Sequence, residues 1–324
     1  MTRSQMTNLL QQEYDLNHIL ANSIVSKVNS NLVDMNSVES VLAWHEENKP
    51  KPFVKWVGGK RQLLKQFKLM DLYPPKGFNP SKAKYFEPFV GGGAVFFDLL
   101  PQKAVLSDLN NELVTTYNVI KNDVEKLIKS LKKYKYNKDY FLKIRKKDPE
   151  KLSDIERASR FIYLNKTCFN GMYRVNSSGK FNVPFGNQKN PLICDEENLL
   201  KVKSALKNVK IIKQDYKQVL KSAKKGDFVY FDPPYYPINR TSSFTGYTAN
   251  GFFEKEQEEL RDAYFELHKK GCFVMLSNSN TEFIDKLYSN LDKKIKVHKV
   301  DATRMINVDA TKRGKIKEVL IINY

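Results

Sequence analysis

Cysteine, histidine and long apolar runs are scarce in this sequence of 324 residues, and each scarcity excludes a class of protein. The three cysteines lie far apart and form no CxxC pair: Cys168, Cys194 and Cys272. Three cysteines cannot all pair within one chain, so we expect reduced thiols and exclude a disulfide scaffold. The four histidines show no metal-ligand spacing: His18, His45, His268 and His298. The sequence therefore predicts no metal site.

The sequence also lacks the patterns of membrane and secreted proteins. No stretch approaches the roughly 18 apolar residues that a membrane-spanning helix needs. The first residues do not show the basic-then-apolar order of a signal peptide. We therefore expect a cytoplasmic protein with no membrane partner.

Acidic residues are too few to balance the basic ones. The chain has 36 Asp and Glu against 55 Lys and Arg, which gives a net charge of +19. A surface this cationic favours a polyanion such as nucleic acid, because binding releases counterions. The alternative is that a lysine-rich composition merely spreads charge over solvated faces, so charge alone does not decide the partner.

Residues 1–48 form a segment that is distinct from the rest of the chain. Their apolar side chains recur at helical spacing, which predicts one or two short helices: Leu16, Ile19, Leu20, Ile24, Val25 and Val28. The segment ends at Asn48-Lys49-Pro50-Lys51-Pro52, and a helix does not cross such a proline pair without strain. The role of this extension stays open among a helical cap, which is our default, a partner-binding segment and a source of DNA contacts.

From residue 53 onward, short apolar runs alternate with longer amphipathic stretches, which predicts an α/β fold with a parallel sheet. The predicted strands are 84–87, 103–107, 209–212, 227–231, 271–276 and 318–323. Residues 121–160 interrupt this order with lysine-rich helices, and residues 165–195 are rich in Asn, Gly, Ser and Pro without a clear period. The second interruption is too long for an ordinary connection, so we expect it to be functional.

A glycine-rich segment and an acidic residue mark a candidate ligand site. Residues 86–93 (FEPFVGGG) follow a predicted strand and lead into a helical pattern at 94–100, so the backbone can approach a ligand at a helix N-terminus. Asp108 ends the next strand, where a carboxylate can accept hydrogen bonds from both hydroxyls of a ribose. An adenosine-type ligand fits this pair. The alternatives are a tight structural turn, because the GxGxxG spacing is absent, and a helix-capping role for Asp108.

The most specific motif is Asp232-Pro233-Pro234-Tyr235, directly after the apolar run 228–231. The two prolines make the backbone rigid and present a carbonyl oxygen beside the Asp232 carboxylate. Two such acceptors can bind both hydrogens of an aromatic amine and so make its nitrogen more nucleophilic. Tyr235 offers a flat face on which a base can stack. The alternative is a strand that simply ends at prolines.

At these residues the sequence resembles the Dam-type adenine-N6 DNA methyltransferases (D12 class, alpha group), from about residue 53 to the C-terminus. The resemblance rests on three motifs in the same order, which are residues 53–60 (FVKWVGGK), 86–93 and 232–235. It implies a Rossmann-like S-adenosylmethionine-dependent methyltransferase sheet with an inserted helical and hairpin DNA-recognition domain. The implied division begins with an N-terminal extension at 1–48. A catalytic domain follows in two parts, 49–120 and 201–324, with the DNA-recognition insert at 121–200 between them.

The resemblance also implies which residues hold the cofactor. Trp56 and Lys60 would flank its methionine part, Asp108 its ribose and Asp215 its adenine. Further residues of the implied cofactor site are Glu87, Pro88, Phe89, Gly91, Gly93 and Asp232. The catalytic residues would be Asp232, Pro233, Pro234 and Tyr235. Alternatives are packing for Trp56, a solvent-facing charge for Lys60 and a helix cap for Asp215.

Residues 163–186 resemble the target-recognition hairpin of the family, with its turn at Ser177-Ser178-Gly179. In relatives that read GATC, the position of Arg174 contacts a guanine edge, for which a guanidinium is suited. Asn170 would lie in the gap left by a flipped adenine, and Lys55 would touch a flanking base. The alternative is a simple turn with exposed side chains. Phe244 and Tyr247 match a loop that closes beside the flipped base, and either could instead be core.

These inferences describe a site-specific adenine-N6 DNA methyltransferase. The adenine amine would attack the methyl group of S-adenosylmethionine in line, with S-adenosylhomocysteine as the leaving group, and the surplus proton on nitrogen would be lost afterwards, with no metal involved. The expected partner is double-stranded DNA, within GATC sites, so the protein would associate with the nucleoid. We take it to be a monomer. The alternatives are methylation of RNA or of a protein amide, and a DNA-binding protein on the same fold that has lost catalysis.

Overall fold

The computed structural model describes residues 1–13, 33–238, 252–303 and 315–324, together with positions 21, 24, 25 and 28. Within these residues seven strands form one sheet: β1 (Tyr85–Glu87), β2 (Ala104–Asp108), β3 (Val209–Lys213), β4 (Phe228–Phe231), β5 (Phe273–Ser279), β6 (Lys296–Thr303) and β7 (Lys315–Ile322). The order across the sheet is β3-β2-β1-β4-β5-β7-β6. β1 to β5 are parallel, and β7 runs antiparallel to its neighbours β5 and β6. The fold is therefore the predicted Rossmann-like α/β sheet.

Helices connect the strands and extend the chain beyond the sheet. Their bounds in chain order are α1 (Arg3–Glu13), α2 (Val38–Asn48), α3 (Arg61–Leu69), α4 (Ala94–Leu99), α5 (Asn111–Leu131), α6 (Lys138–Lys146), α7 (Asp154–Thr167), α8 (Glu196–Ala205), α9 (Val219–Ser222), α10 (Glu254–Lys269) and α11 (Glu282–Tyr288). No helix in the described part of the chain is long and apolar enough to span a bilayer.

The sheet has a hydrophobic core on each face, because successive strand residues point to opposite sides. In β4, for example, Phe228 and Tyr230 join one core while Val229 and Phe231 join the other. The first core takes in side chains of α3, α4, α5, α7 and α8, and the second takes in α10 and α11. Both faces are thus covered, as a sheet of mostly parallel strands requires.

All six predicted strands are present, with ends that differ by at most three residues. The sequence pattern missed β6, which among the described residues pairs with β7 alone and so forms an edge of the sheet. Its charged residues Lys296, Lys299 and Asp301 are exposed, and such charges discourage an edge strand from pairing with other chains. They also hide the alternation that would identify a strand.

One helix crosses the predicted boundary between the catalytic domain and the inserted segment. The predicted boundary at residue 121 lies inside α5, which bends at Asp123, where φ is −136° and ψ is 36°. α5, α7 and α8 contribute to the main core of the sheet, whereas the hairpin region has a separate core that includes Phe141, Tyr163 and Phe181. The four-part domain division stays a prediction.

The N-terminal extension has a small core of its own. Met6 and Leu10 of α1 pack there with Val38 and Val41 of α2 and with buried residues between the two helices. α2 ends at Asn48, just before the proline pair, as predicted. Residues 1–48 contain six acidic residues and two basic ones in a chain of net charge +19. This charge disfavours a DNA-contacting role for the extension, since DNA repels a net negative segment.

Candidate functional site

The candidate site lies at the carboxyl ends of the parallel strands. Glu87 ends β1, Asp108 ends β2 and Asp232 directly follows β4. These strands are neighbours, and the strand order reverses between β1 and β4. A reversal of this kind opens a crevice at the carboxyl edge, which is where open α/β sheets bind ligands.

The buried Lys60 and the partly buried Asp232 form an ion pair in this crevice. The Lys60 Nζ lies 2.7 Å from Asp232 Oδ1, and the side chains are 3% and 21% exposed, respectively. Lys60 also donates a hydrogen bond to the Gly58 carbonyl. Burial raises the pKa of Asp232 to about 6, against the lowering effect of Lys60. The alternative of a solvent-facing charge at Lys60 is therefore wrong.

Two buried amide side chains hold the loop that carries Asp232. Gln257 of α10 donates from Nε2 to the Pro234 carbonyl at 3.0 Å, and its Oε1 accepts from Asn278 Nδ2 at 2.9 Å. Asn278 of β5 also accepts from the Tyr236 amide at 3.1 Å. Within the described residues no donor reaches the Pro233 carbonyl. That oxygen is therefore the available acceptor beside Asp232.

Side chains of two distant segments contact Tyr235. Its hydroxyl donates to Glu318 Oε2 at 2.8 Å, and the Lys60 ammonium lies 4.9 Å from its ring centroid. Glu318 belongs to β7, and its negative charge also raises the pKa of Asp232. Sequence reasoning missed Glu318, although a carboxylate at the first residue of the predicted strand 318–323, directly before the apolar run 319–322, is a signal that could have found it.

The glycine segment packs against Trp56 and is tied to Asp108. Gly91 has a φ of +46°, and a Cβ there would lie 2.6 Å from the Trp56 indole, so only glycine fits. Asp108 accepts hydrogen bonds from the amides of Gly91 at 3.2 Å and Asn110 at 2.9 Å. The side chain that caps α5 is Asn110, so the capping alternative for Asp108 is wrong. Burial raises the pKa of Asp108.

Glu87 lies beneath the crevice rather than at its surface. It is 2% exposed and accepts hydrogen bonds from the Tyr85 hydroxyl at 2.9 Å and the Phe96 amide at 3.2 Å. Burial raises the pKa of Glu87 to about 8, which favours the protonated carboxyl. Pro88 next to it is also buried. Gly93, with a φ of +69°, lets the chain enter α4.

An aromatic cluster lines the crevice beyond the glycine segment. The half-buried Phe89 stacks on Tyr216 with ring centroids 5.3 Å apart and meets Phe252 edge-on at 6.0 Å. Asp215 lies next to Tyr216 and caps the short turn 216–218 by accepting from the Lys217 amide at 2.8 Å. The capping alternative for Asp215 is thus observed, and its contact with adenine stays a prediction.

Residues 168–185 form a hairpin, so the predicted range 163–186 began too early, because residues 163–167 are the last residues of α7. Isolated bridges pair Cys168 with Phe185 and Val175 with Phe181, and the turn at Ser177-Ser178-Gly179 is confirmed by a φ of +71° at Gly179. Arg174 donates from Nε to the side chain of Asn182 at 2.7 Å, which fixes the guanidinium against the opposite arm.

A short turn at the start of this hairpin exposes Phe169 and Asn170. Asn170 adopts a φ of +55°, and Phe169 beside it is 43% exposed. An aromatic side chain in such a turn is a candidate contact that sequence reasoning missed. Lys55 is exposed and packs against Gly171. Trp56 stacks on Tyr173 with ring centroids 5.7 Å apart, so the packing alternative for Trp56 is also observed.

Phe244 and Tyr247 lie outside the described residues. In the part of the chain that the structure describes, no group of three or more His, Cys, Asp or Glu side chains is placed to hold a metal ion.

Comparison with known proteins supports the resemblance. A family profile described as D12 class N6 adenine-specific DNA methyltransferase matches residues 56–306. The type II methyltransferase M1.LlaDCHI of Lactococcus lactis subsp. cremoris is 44% identical over 282 residues, which cover 85% of this chain and 95% of that protein. The type II methyltransferase M.MjaIII of Methanocaldococcus jannaschii is 45% identical over 292 residues, which cover 85% and 99%.

A third relative carries a more specific name. The DNA adenine methylase of Haemophilus influenzae is 32% identical over 280 residues, which cover 85% of this chain and 94% of that protein. The matched residues 56–306 include strands β1 to β6 and the hairpin. The chain belongs to the D12 class of N6 adenine-specific DNA methyltransferases.

Proposed function

We propose that the protein transfers a methyl group to the N6 amine of an adenine flipped out of duplex DNA, within the sequence GATC. The observation that carries the proposal is the pair of acceptors at the carboxyl end of β4. The Asp232 carboxylate and the Pro233 carbonyl are adjacent in the chain, and the neighbouring Pro234 carbonyl is engaged by Gln257 at 3.0 Å. The loop therefore offers two acceptors to an amine with two hydrogens.

The chemistry follows from those acceptors. The lone pair of an aromatic amine is delocalised into the ring, which makes the nitrogen a poor nucleophile. Hydrogen bonds from both N–H groups to Asp232 and Pro233 favour a geometry in which the lone pair points out of the ring plane. The same two oxygens stabilise the positive charge that develops on nitrogen as the bond forms. Tyr235 supports the ring of the base by stacking.

The residues present fit S-adenosylmethionine, which supplies an electrophilic methyl group when bound. Its amino-acid part carries one ammonium and one carboxylate, and the crevice offers the complementary charges of Asp232 and Lys60. Asp108 would accept the ribose hydroxyls, and the Phe89 and Tyr216 rings offer a flat apolar surface to adenine. The missing Cβ of Gly91 leaves room for the Trp56 indole, which packs against the glycine segment.

The proposed DNA contacts rest on exposed residues of the hairpin and on the net positive charge of the chain. Phe169 and Asn170 project at the start of the hairpin, where an apolar wedge and a polar side chain can enter the space of a flipped base. Arg174 uses only Nε within the described residues, so its two terminal nitrogens can meet the O6 and N7 acceptors of guanine. The net charge of +19 favours the phosphate backbone.

A methyl-transfer assay with labelled S-adenosylmethionine tests the proposal. Equal amounts of duplex DNA, RNA and a protein mixture would be offered, and the methylated DNA would be sequenced for modified adenines. We expect label in duplex DNA, at the adenine of GATC. Label in RNA or protein would move the substrate to another class, and binding to DNA without any transfer would identify an inactive member of the family. Methylation at a different adenine site would refute the GATC assignment alone.

A further inference from the structure

The buried side-chain amide of Asn165 makes three hydrogen bonds between the crevice and the hairpin. It lies in α7 and is 0% exposed. Its Oδ1 accepts from the Lys55 amide, and its Nδ2 donates to the carbonyls of Lys55 and Gly171, all at 2.9 Å. Both N–H groups of the side chain are therefore used, and the orientation of the amide is fixed by its partners.

These three bonds join two segments that are more than a hundred residues apart. Lys55 directly precedes Trp56 in the first motif, and Gly171 directly follows Asn170 in the short turn at the start of the hairpin. The contact is close, because the Lys55 stem occupies the place where a Gly171 side chain would lie. Nearby, Trp56 stacks on Tyr173, so the motif and the hairpin meet at two adjacent points.

Asn198 offers an internal comparison. Its Oδ1 accepts from the Lys51 amide at 2.8 Å, and its Nδ2 donates to the Lys51 carbonyl at 2.9 Å. The Asn198 side chain thus binds the backbone amide and carbonyl of Lys51, four residues before Lys55, as Asn165 binds those of Lys55. Within the described residues it makes no side-chain bond to the hairpin. Asn198 binds this segment, whereas Asn165 binds the segment and also the turn at the start of the hairpin.

We propose that Asn165 is a positioning residue for target recognition, which sets the Lys55 side chain and the Asn170 turn at a fixed distance from each other and from the cofactor motif. This inference rests on the proposed DNA roles of Lys55 and Asn170. Fixing both contacts before DNA arrives reduces the entropy lost on binding and makes the pair read one geometry of the duplex. Loss of Asn165 therefore lowers sequence discrimination more than it lowers cofactor binding.

The test compares Asn165→Ala with Asn198→Ala in the full-length protein. First, sequencing of methylated DNA identifies the preferred site of the wild-type protein. Second, kcat/KM is measured for a duplex with that site and for duplexes with one changed base pair, at one salt concentration. We expect Asn165→Ala to reduce the ratio of these values by about tenfold, and Asn198→Ala to keep it within about twofold. Urea unfolding and calorimetric titration with S-adenosylhomocysteine accompany each variant.

A second variant protects the test against misfolding. Gly171→Ala places a Cβ against the Lys55 stem and a non-glycine residue at a φ of +67°, so it disturbs the same contact without touching Asn165. We expect the discrimination ratio to fall in this variant too. A ratio that is unchanged in both variants, or that falls equally in Asn198→Ala, overturns the role of Asn165. A wild-type protein that methylates no adenine, or that prefers no site, refutes the proposed function and this inference together.

Discussion

The ammonium of Lys60 lies 2.7 Å from the Asp232 carboxylate, in a crevice where the lysine side chain is 3% exposed. Burial alone would favour a protonated Asp232, and Lys60 opposes that effect because it stabilises the negative form. Both oxygens of an ionised carboxylate accept hydrogen bonds, whereas protonation turns one of them into a donor. Lys60 thus keeps Asp232 in the form that can activate an amine.

The first prediction concerns the pH dependence of transfer. The pKa of Asp232 is about 6, so the single-turnover rate should rise with pH through this value as the carboxylate ionises. Lys60→Met removes the positive charge, so the pKa of Asp232 rises and the acid limb of the profile moves to higher pH. Lys60→Arg, which keeps the charge, should move it less. An unchanged midpoint in Lys60→Met would mean that another group controls the profile.

Tyr235 should act through its ring. Tyr235→Ala removes the stacking surface and should lower kcat/KM by an amount that corresponds to about 1–3 kcal/mol of lost transition-state stabilisation. Tyr235→Phe should cost much less. Glu318→Gln still accepts the bond that the Tyr235 hydroxyl donates at 2.8 Å in the wild-type protein. It should therefore resemble Tyr235→Phe. Steady-state kinetics on one duplex compare the three variants, and a phenylalanine variant as slow as the alanine one would assign the role to the hydroxyl.

Asp108 should act on the cofactor more than on DNA. Asp108→Ala removes the acceptor for the ribose hydroxyls and also the partner of the Gly91 amide, so S-adenosylmethionine should bind about 1.5–3 kcal/mol more weakly. Asp108→Asn keeps one acceptor oxygen and should lose less. Calorimetric titration with cofactor alone measures the change. Wild-type affinity in the alanine variant would limit Asp108 to holding the glycine segment.

Arg174 should determine sequence preference. A guanidinium at a guanine edge contributes about 1–3 kcal/mol of discrimination, whereas a phosphate contact weakens all sequences alike. Arg174→Ala should therefore methylate sites altered at one guanine of GATC while losing activity on GATC itself. Asn182→Ala, which frees the Nε bonded at 2.7 Å, should show a smaller effect in the same direction. The variants are compared on near-cognate duplexes at one salt concentration. A uniform loss of activity would identify Arg174 as a backbone contact.

The sequence predicted the sheet well because its central strands are buried on both sides. Runs such as Phe228–Phe231 are continuously apolar and end at a motif, which leaves little ambiguity. β5 was predicted to end at residue 276, yet it continues through Ser277, Asn278 and Ser279. Polar residues in a buried strand are paired by partners from other elements, and those partners are not visible in a local pattern.

The site was predicted where residues are adjacent in the chain and missed where they are not. Asp232 and Tyr235 belong to one motif, whereas the residues that hold them come from distant elements: Lys60, Gln257, Asn278 and Glu318. Of these, only Lys60 was singled out, and it was assigned to the cofactor rather than to Asp232. Contacts between α10, β5, β7 and the catalytic loop arise from the packing of the sheet, so the sequence alone does not contain them in a readable form.

Removal of the Asp232 carboxylate tests the central claim most directly. Wild-type protein and Asp232→Ala would be incubated with duplex DNA and S-adenosylmethionine that carries an isotopically labelled methyl group, and the nucleosides would be analysed by mass spectrometry. We predict labelled N6-methyladenine with the wild-type protein and none with the variant, while the variant binds DNA and S-adenosylhomocysteine within about tenfold of the wild-type affinities. Labelled N6-methyladenine formed by Asp232→Ala at the wild-type rate would contradict the account.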